Sequence, residues 1–600
     1  MRERLTQLVL GAFAVLFPCA LLGSDVPPFS LDWYNHVWLV AHTADHVRQA
    51  GTPPLSLTTT QLGGAPYPVF YGSLLYPLLG APGAVVGAPV AVRAALVGLF
   101  ALQYILVRRA ARAGGAGVTL ANVAACLTVW AIYPLSNVYQ RGALTETFAA
   151  GCLTCALCRW FALLDATEPL GRVRAALEVG LFYALAAGSH PITALYGAVF
   201  LGLFAATVFV RAPGADRAAA VGRLAALVPA AVLVLAVLAP WAYACAQFGG
   251  DLAVQGNPKV YVFPESIDRL WVRLFPVPAD VRTLRGVPPG TVMPVDAQIN
   301  VPLLILAGAV LGALARAPDR SARLLWLAVP VVLCVAMLWL SLSRKPYNHL
   351  PTVFRVVQFP CRLVTYVNLS LLAALFLALR LTGRAGAPTG WGTYSPAVRT
   401  GLIAAAVTLS AAGVLLKLVS APERLFPDRP DVRELPDTFY GWFAYSTPKK
   451  LPSLSAEDEA RLVRVSLAAD PQDPHRYAPT PVERAEPGFV AMQVQVFPWN
   501  AFYLDGRRVP EADLRTWDGR PEGAGEWARG PYTAVAVPAG RHVLEHRFEP
   551  SPVWVRLYVL SFGVLAFWAL VTLALHLRRV GRPAADPDSA TPAHAVRLAD

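Results

Sequence analysis

The sequence predicts a mainly α-helical, polytopic integral membrane protein of about twelve transmembrane helices, with a small all-β, sandwich-like extracytoplasmic domain near the C-terminus. Three observations carry this. Of 600 residues, 56% are hydrophobic and only 15% charged, where soluble domains average about 25% charged. Mean hydropathy is +0.47, which excludes a disordered chain and an ordinary cytosolic enzyme. Apolar runs of about 17–25 residues recur along the chain, each long enough to cross a bilayer. The short loops between them carry Arg on alternate sides.

The first run, Leu5 to Gly23 after Met1-Arg2-Glu3-Arg4, has the look of a signal peptide. Because so many apolar runs follow, it reads as an uncleaved first helix. Further spans fall at 91–108, 117–136, 145–164, 173–189, 192–210, 222–246, 301–316, 323–342, 361–381, 400–420 and 553–577. Arg108, Arg109 and Arg112; Arg159, Arg172 and Arg174; Arg211, Arg217 and Arg223; Arg316, Arg320 and Arg323; Arg380, Arg384 and Arg399; and Arg578, Arg579 and Arg582 all fall on one side. Basic loops mark the cytoplasmic face, so both termini are expected inside. The opposite face receives 24–90, 137–144, 247–300, 343–360 and 421–551. The resulting organisation is a transmembrane domain over 1–420 with outer loops 24–90, 247–300 and 343–360. An extracytoplasmic segment with the β-domain (421–551), a last span (552–577) and a tail (578–600) expected to be disordered complete it. In the first outer loop, Trp33 to Gln49 suggests an interfacial helix, and Pro68, Pro77, Pro82 and Pro89 suggest short or re-entrant helices after it.

The formal charge of +13 divides unevenly. Residues 421–551 carry net −4 and the remainder net +17, with the excess between apolar segments, so no nucleic-acid partner is implied. Within 421–551, Val490 to Phe497 alternates at the period of a strand. Phe502-Tyr503-Leu504 with Asp505-Gly506 reads as strand and turn. Tyr532–Val537, the turn Pro538-Ala539-Gly540 and His542–Phe548 read as strand, turn, strand. Trp499 and Trp517 are core if buried and sugar-stacking platforms if exposed. All eight cysteines lie in or beside apolar runs. Cys152-x-x-Cys155-x-x-Cys158 lacks a nearby fourth ligand and reads as small apolar packing.

The sequence has no phosphate-cradling Gly-Lys-Ser/Thr loop, no H-E-x-x-H and no nucleophile elbow, which argues against an ATP-driven pump or zinc protease. Four polar clusters gather on the outer side instead. Asp32 and His36 are four apart and share a helix face; a carboxylate there suits a general base or a cation ligand, though on spacing alone a plain helix cap is the commoner role. Tyr139-Gln140-Arg141-Gly142-Ala143-Leu144-Thr145-Glu146 offers Arg141 for a phosphate, or an Arg141–Glu146 pair that closes a loop. His190 sits at the Ser189-His190-Pro191 corner between two spans, where capping or packing is the commoner role. Arg344, Lys345, His349, Arg355, Gln358 and Arg362 make an outer loop that is basic against the charge rule, which an anionic ligand or anionic lipid explains. A transporter would place charges near the bilayer midplane between two related halves, and no such halves are visible.

These residues resemble bacterial membrane proteins of the GT-C glycosyltransferase superfamily, most nearly the group labelled pyruvoyl-tetrahydropterin-synthase-related membrane proteins. No pterin chemistry is visible in the chain. The carrying motifs are Asp32 with His36, Tyr67-Pro68-Val69-Phe70-Tyr71, Tyr139-Gln140-Arg141-Gly142-Ala143 with Glu146, and Gln358-Phe359-Pro360-Cys361-Arg362, where the family pattern Q-F-P-W-R has Trp in place of Cys361. Pro498-Trp499, Leu504-Asp505-Gly506 and Val537-Pro538-Ala539-Gly540-Arg541-His542 extend the resemblance into the tail. It implies a GT-C-like fold in the bacterial inner membrane. It also implies transfer of sugar from a polyprenyl-phosphate-sugar donor to a glycan, lipid or protein acceptor on the outer face. Carried over, Asp32 is the base; Arg141, Arg355 and Arg362 hold the donor phosphate; His36 and Glu146 position the acceptor or a cation. No cofactor is required by the sequence; a divalent cation (Mg or Mn) on Asp32 and His36 is a candidate. The rival readings are a flippase for lipid-linked glycan and a non-catalytic envelope assembly protein.

Overall fold

A computed structural model describes residues 2–23, 31–58, 63–211, 214–249, 298–315, 320–351, 354, 360–383, 391, 394–419, 451–466, 468, 470, 476–517, 519 and 532–580. The protein is mainly helical. In chain order the helices begin α1 (Arg2–Leu16), α2 (Leu31–Ala50), α3 (Tyr67–Phe70), α4 (Leu75–Val86), α5 (Ala88–Ala113), α6 (Val118–Val129), α7 (Ile132–Ser136), α8 (Leu144–Asp165), α9 (Pro169–Ser189), α10 (Pro191–Arg211), α11 (Gly214–Ala225) and α12 (Leu227–Phe248). Val301–Leu314, Arg320–Leu342, Val364–Gly383, Pro396–Val419 and Pro552–Val580 follow as long helices.

Among the described residues, seven segments are long and apolar enough to cross a membrane: Ala88–Ala113, Val118–Tyr139, Leu144–Asp165, Ala218–Phe248, Cys361–Leu381, Pro396–Val419 and Pro552–Leu577. They match seven of the expected spans, and the chain fits a multi-pass membrane protein. The count of twelve is not reached by this measure. Expected spans 5–23, 192–210, 301–316 and 323–342 appear as shorter apolar helices, Leu5–Leu16, Pro191–Thr207, Val301–Leu314 and Leu327–Leu342. Expected span 173–189 is part of α9, whose Arg172, Arg174 and Glu178 dilute its apolar character. Leu75–Val86 is apolar too, within the stretch expected to hold short helices.

Helix α8 is buried along nearly its whole length. Cys152, Cys155 and Cys158 lie on it, 6% exposed or less, inside the main apolar cluster. Apolar packing is therefore their environment. Arg159 of α8 pairs with Glu178 of α9. At the far end of α8, Asp165 receives Arg380 of helix Val364–Gly383, with Nη2–Oδ2 at 2.6 Å and Nε–Oδ1 at 3.0 Å. The Arg380 guanidinium lies 4.6 Å from the Phe161 ring centroid.

The described residues between 451 and 548 form two four-stranded sheets. With β1 (Val463–Val465), β2 (Thr480–Arg484), β3 (Gly488–Gln495), β4 (Asn500–Leu504), β5 (Arg507–Arg508), β6 (Leu514–Trp517), β7 (Tyr532–Val537) and β8 (Gly540–Phe548), the strand orders are β1-β3-β7-β6 and β2-β8-β4-β5. The β4–β5 hairpin turns through Asp505 and Gly506, at φ 51° and 76°, the left-handed pair that suits a two-residue hairpin loop. Trp499 and Trp517 are both buried; they are core side chains.

The β-domain is also docked onto the segment between α2 and α3. The β3–β7 register breaks between Met492 and Gln495, which would leave backbone groups unpaired. Gly63 takes them: its N–H donates to the Gln493 carbonyl at 2.6 Å, and its carbonyl accepts from the Gln495 N–H at 2.9 Å. Asn500 Nδ2 donates to the Gly64 carbonyl at 3.1 Å. Behind this seam Val69, Phe70 and Phe248 share one apolar cluster with Phe497, Trp499 and Trp554. Gly64 has φ +61°, and a Cβ there would lie 2.2 Å from Asn500 Oδ1. Gly64→Val is therefore expected to open the seam without unfolding the strands. In hydrogen exchange, the Gln495 amide should speed up roughly tenfold or more, while amides of the β2–β8 pairing keep their protection.

Candidate functional site

Between α7 and α8 the chain makes one π-helical turn, Asn137–Arg141, and then Gly142 in the left-handed region. Wide turns of this kind are frequent at functional sites. A Cβ on Gly142 would lie 2.2 Å from the backbone nitrogen of Trp33, so only glycine lets this turn lie against the first turn of α2. The contact brings Arg141 into the neighbourhood of Asp32-Trp33.

Glu146, in the first turn of α8, is 2% exposed. Its Oε1 accepts from Tyr133 Oη at 2.5 Å and from Asn137 Nδ2 at 3.2 Å. Its Oε2 accepts from Arg141 Nη1 at 2.9 Å and lies 3.1 Å from Arg362 Nε. Arg141 also donates to Asn137 Oδ1 at 3.0 Å. A buried carboxylate is stable only when its lone pairs are met and its charge is paired. Here two guanidinium groups, a phenol and an amide supply both, and the helix N-terminus adds a favourable dipole.

A row of rings adjoins this pair. His36 Nδ1 is 2.8 Å from Tyr76 Oη, and the His36 ring stacks with Tyr71 at 6.5 Å. Tyr71 Oη is 2.6 Å from Thr145 Oγ1, and its ring meets His190 edge-on at 5.9 Å. His190 caps the turn between α9 and α10: the Thr193 N–H donates to its Nδ1 at 3.2 Å. Nδ1 is then the acceptor and Nε2 carries the proton. Burial, with Arg362 close by, holds His190 down to about 3, and burial with Arg141 does the same for His36. Both imidazoles are neutral at neutral pH.

Five of the eleven sequence candidates thus converge: His36, Arg141, Glu146, His190 and Arg362. Arg362 arrives from more than two hundred residues away, on the turn Pro360–Leu363. Asp32 lies on α2, with its side chain outside the described residues. Arg344 and Lys345 lie on the short helix Arg344–Asn348, their side chains likewise outside. His349, the C-cap of that helix, is exposed. Arg355 and Gln358 lie outside the described residues. The loop-closing reading of Arg141–Glu146 holds, with Arg362 as a second partner. Sequence reasoning missed Tyr133 and Asn137, eight and four residues before Arg141; helical spacing back from Arg141 would have found them. It also missed Tyr76 and Thr193. Among the described residues no three His, Cys, Asp or Glu side chains are grouped to hold a metal ion, and His36 Nδ1 is engaged by Tyr76.

Two outcomes are expected. Glu146→Gln leaves two part-buried cations facing a neutral amide, so the melting temperature in detergent should fall, by the equivalent of about 1.5–3 kcal/mol. The histidines give a pH signature. Their folded values lie below the unfolded value of roughly 6.5, so the unfolded state binds more protons between the two. Stability is complete above that value and declines as pH falls from it toward 3, at most about 1.4 kcal/mol per pH unit for each histidine. Melting temperatures between pH 7.5 and 5 should fall accordingly, and His190→Gln should flatten the slope.

No known family model matches the chain, and no curated protein matches it. Among solved structures, the arabinofuranosyltransferase AftD from Mycobacteria is similar at 17% identity with a TM-score of 0.40, over 71% of this chain and 29% of that one. The chain spans less than a third of that enzyme's length.

Proposed function

We infer that the chain is an inverting membrane glycosyltransferase of GT-C type, related to the pyruvoyl-tetrahydropterin-synthase-related membrane group. In this reading it moves a sugar from a polyprenyl-phosphate donor to a cell-envelope acceptor, on the outer face of a bacterial inner membrane. The observation that carries the reading is the meeting of Arg141, Glu146, His190 and Arg362 at one end of the bundle, against the turn of α2 that bears Asp32. The acceptor hydroxyl attacks the anomeric carbon as the sugar–phosphate C–O bond breaks. The hydroxyl proton passes to Asp32 and the polyprenyl phosphate leaves with the bonding electrons. A phosphate leaving group asks mainly for positive charge at its oxygens. Glu146 sets the planes of Arg141 and Arg362, whose forked donors suit phosphate. Burial of Trp499 and Trp517 removes them as a sugar-stacking surface, which favours the membrane cluster over the β-domain as the substrate site.

Asp32→Asn is expected to abolish transfer with folding intact; retained transfer in that variant defeats the assignment of the base. Mass spectrometry of co-purified lipids tests the donor site. A polyprenyl phosphate, bare or carrying a sugar, should be enriched with the wild type and lost with Arg141→Ala. Equal amounts of bulk phospholipid alone would count against it.

A further inference from the structure

Tyr133, which donates to Glu146, also lines a cavity of about 40 Å³ between the helices. Its walls come from α5, α6, α7, α8 and the helices Val301–Leu314 and Val364–Gly383. Most of the lining surface is apolar, but six polar side chains border it: Gln103, Thr128, Thr154, Thr365, Asn300 and Asn368. The volume is far below the roughly 300–1,000 Å³ of a small-molecule pocket. It suits water, which needs about 10–15 Å³ each by this measure.

The polar groups there have unmet hydrogen-bonding capacity. Gln103 is 7% exposed and its side-chain amide has no hydrogen-bond partner among the described residues. Asn368 Oδ1 accepts from the Asn300 N–H at 2.8 Å, but its buried Nδ2 has no partner among the described residues. The Thr128 and Thr154 hydroxyls donate to the Ala124 and Ala150 carbonyls, which leaves each presenting lone pairs. Each buried donor or acceptor left unmet costs about 1–3 kcal/mol.

The cavity also lies at a break in a span. The segment Val118–Tyr139 is interrupted at Trp130–Ala131, between α6 and α7, and both Thr128 and Ala131 line the cavity. Asn300 Nδ2 covers one freed carbonyl, that of Leu127, at 2.7 Å. Pro134 has no N–H to offer the Trp130 carbonyl four residues before it. Within a bilayer, non-helical backbone is tolerated where it is buried in protein or borders water.

We propose that this cavity is a hydration site holding about two or three ordered waters. They serve the Gln103 and Asn368 amides and the broken backbone, and they reach Tyr133. The waters keep the span broken at Trp130–Ala131 and so hold the following turn, Asn137–Arg141, in the place where Arg141 meets Glu146. The inference stands on this geometry alone and is independent of glycosyl transfer.

Millisecond X-ray radiolysis of the full chain in nanodiscs tests it, because hydroxyl radicals form at bound water. Phe100 and Tyr133 line the cavity and are 2% and 1% exposed; Phe161 is 0% exposed and does not line it. After correction for intrinsic reactivity, Phe100 and Tyr133 should be oxidised several-fold faster than Phe161. Thr154→Leu, which fills the cavity, should bring them down to the Phe161 rate. Labelling of Phe100 and Tyr133 no faster than Phe161 in the wild type overturns the proposal, and so does undiminished labelling in a folded Thr154→Leu. If that variant does not fold, the wild-type comparison decides.

Discussion

The Glu146 carboxylate is the constraint on which the end of the bundle around α7 and α8 depends. A carboxylate at the start of a buried helix must be matched by charge and by hydrogen bonds. Meeting that demand draws in Tyr133 and Asn137 from before the π turn, Arg141 from its end and Arg362 from a distant helix start. Remove the carboxylate and two part-buried cations face each other. The same side chain therefore sets the route of the backbone between α7 and α8 and fixes the relative height of α8 and helix Val364–Gly383.

That second effect is reinforced at the other end. Asp165 near the end of α8 receives Arg380 in the last turn of Val364–Gly383, while Phe161 and Phe376 meet edge-on at 5.2 Å nearby. Two helices joined by ion pairs at both ends cannot slide by a turn without breaking two ion pairs. The arginine of one such pair, Arg380, was expected from the sequence only as a marker of the basic loops. The structure adds that it is buried and paired.

Much of this architecture was legible in the sequence. Apolar runs located the helices because burial in lipid or protein demands the same side chains over whole turns. They did not fix the number of spans: composition cannot separate a short buried helix such as Val301–Leu314 from a crossing one, and α9 carries charges matched by neighbours. In the β-domain, β3, β4, β7 and β8 were readable from alternation and turn residues. β1, β2, β5 and β6 were not: they are short, β2 contains Pro481, and β5 is Arg507-Arg508 alone. At the site, Arg141 and Glu146 were visible as local neighbours. That Arg362 shares the carboxylate follows only from tertiary packing. The docking of β3 on Gly63 was hidden for the same reason, since a register break leaves no local mark in the sequence.

The placement of the cluster bears on what kind of ligand it can meet. Glu146 and Asp165 are nineteen positions apart on one continuous helix, a rise of roughly 29 Å. That is close to the thickness of a bilayer's hydrocarbon core, about 30 Å. If α8 crosses the membrane, its two charged ends lie at the two interfaces, and neither sits at the midplane where a transporter's binding site is expected. At an interface, a lipid-linked anion needs to bring only its head group to the protein while its chain stays in the bilayer. Under the proposed function, paired guanidinium groups beside neutral imidazoles and phenols at such a depth would meet a lipid-linked head group there, where a freely soluble anion would have no reason to be met.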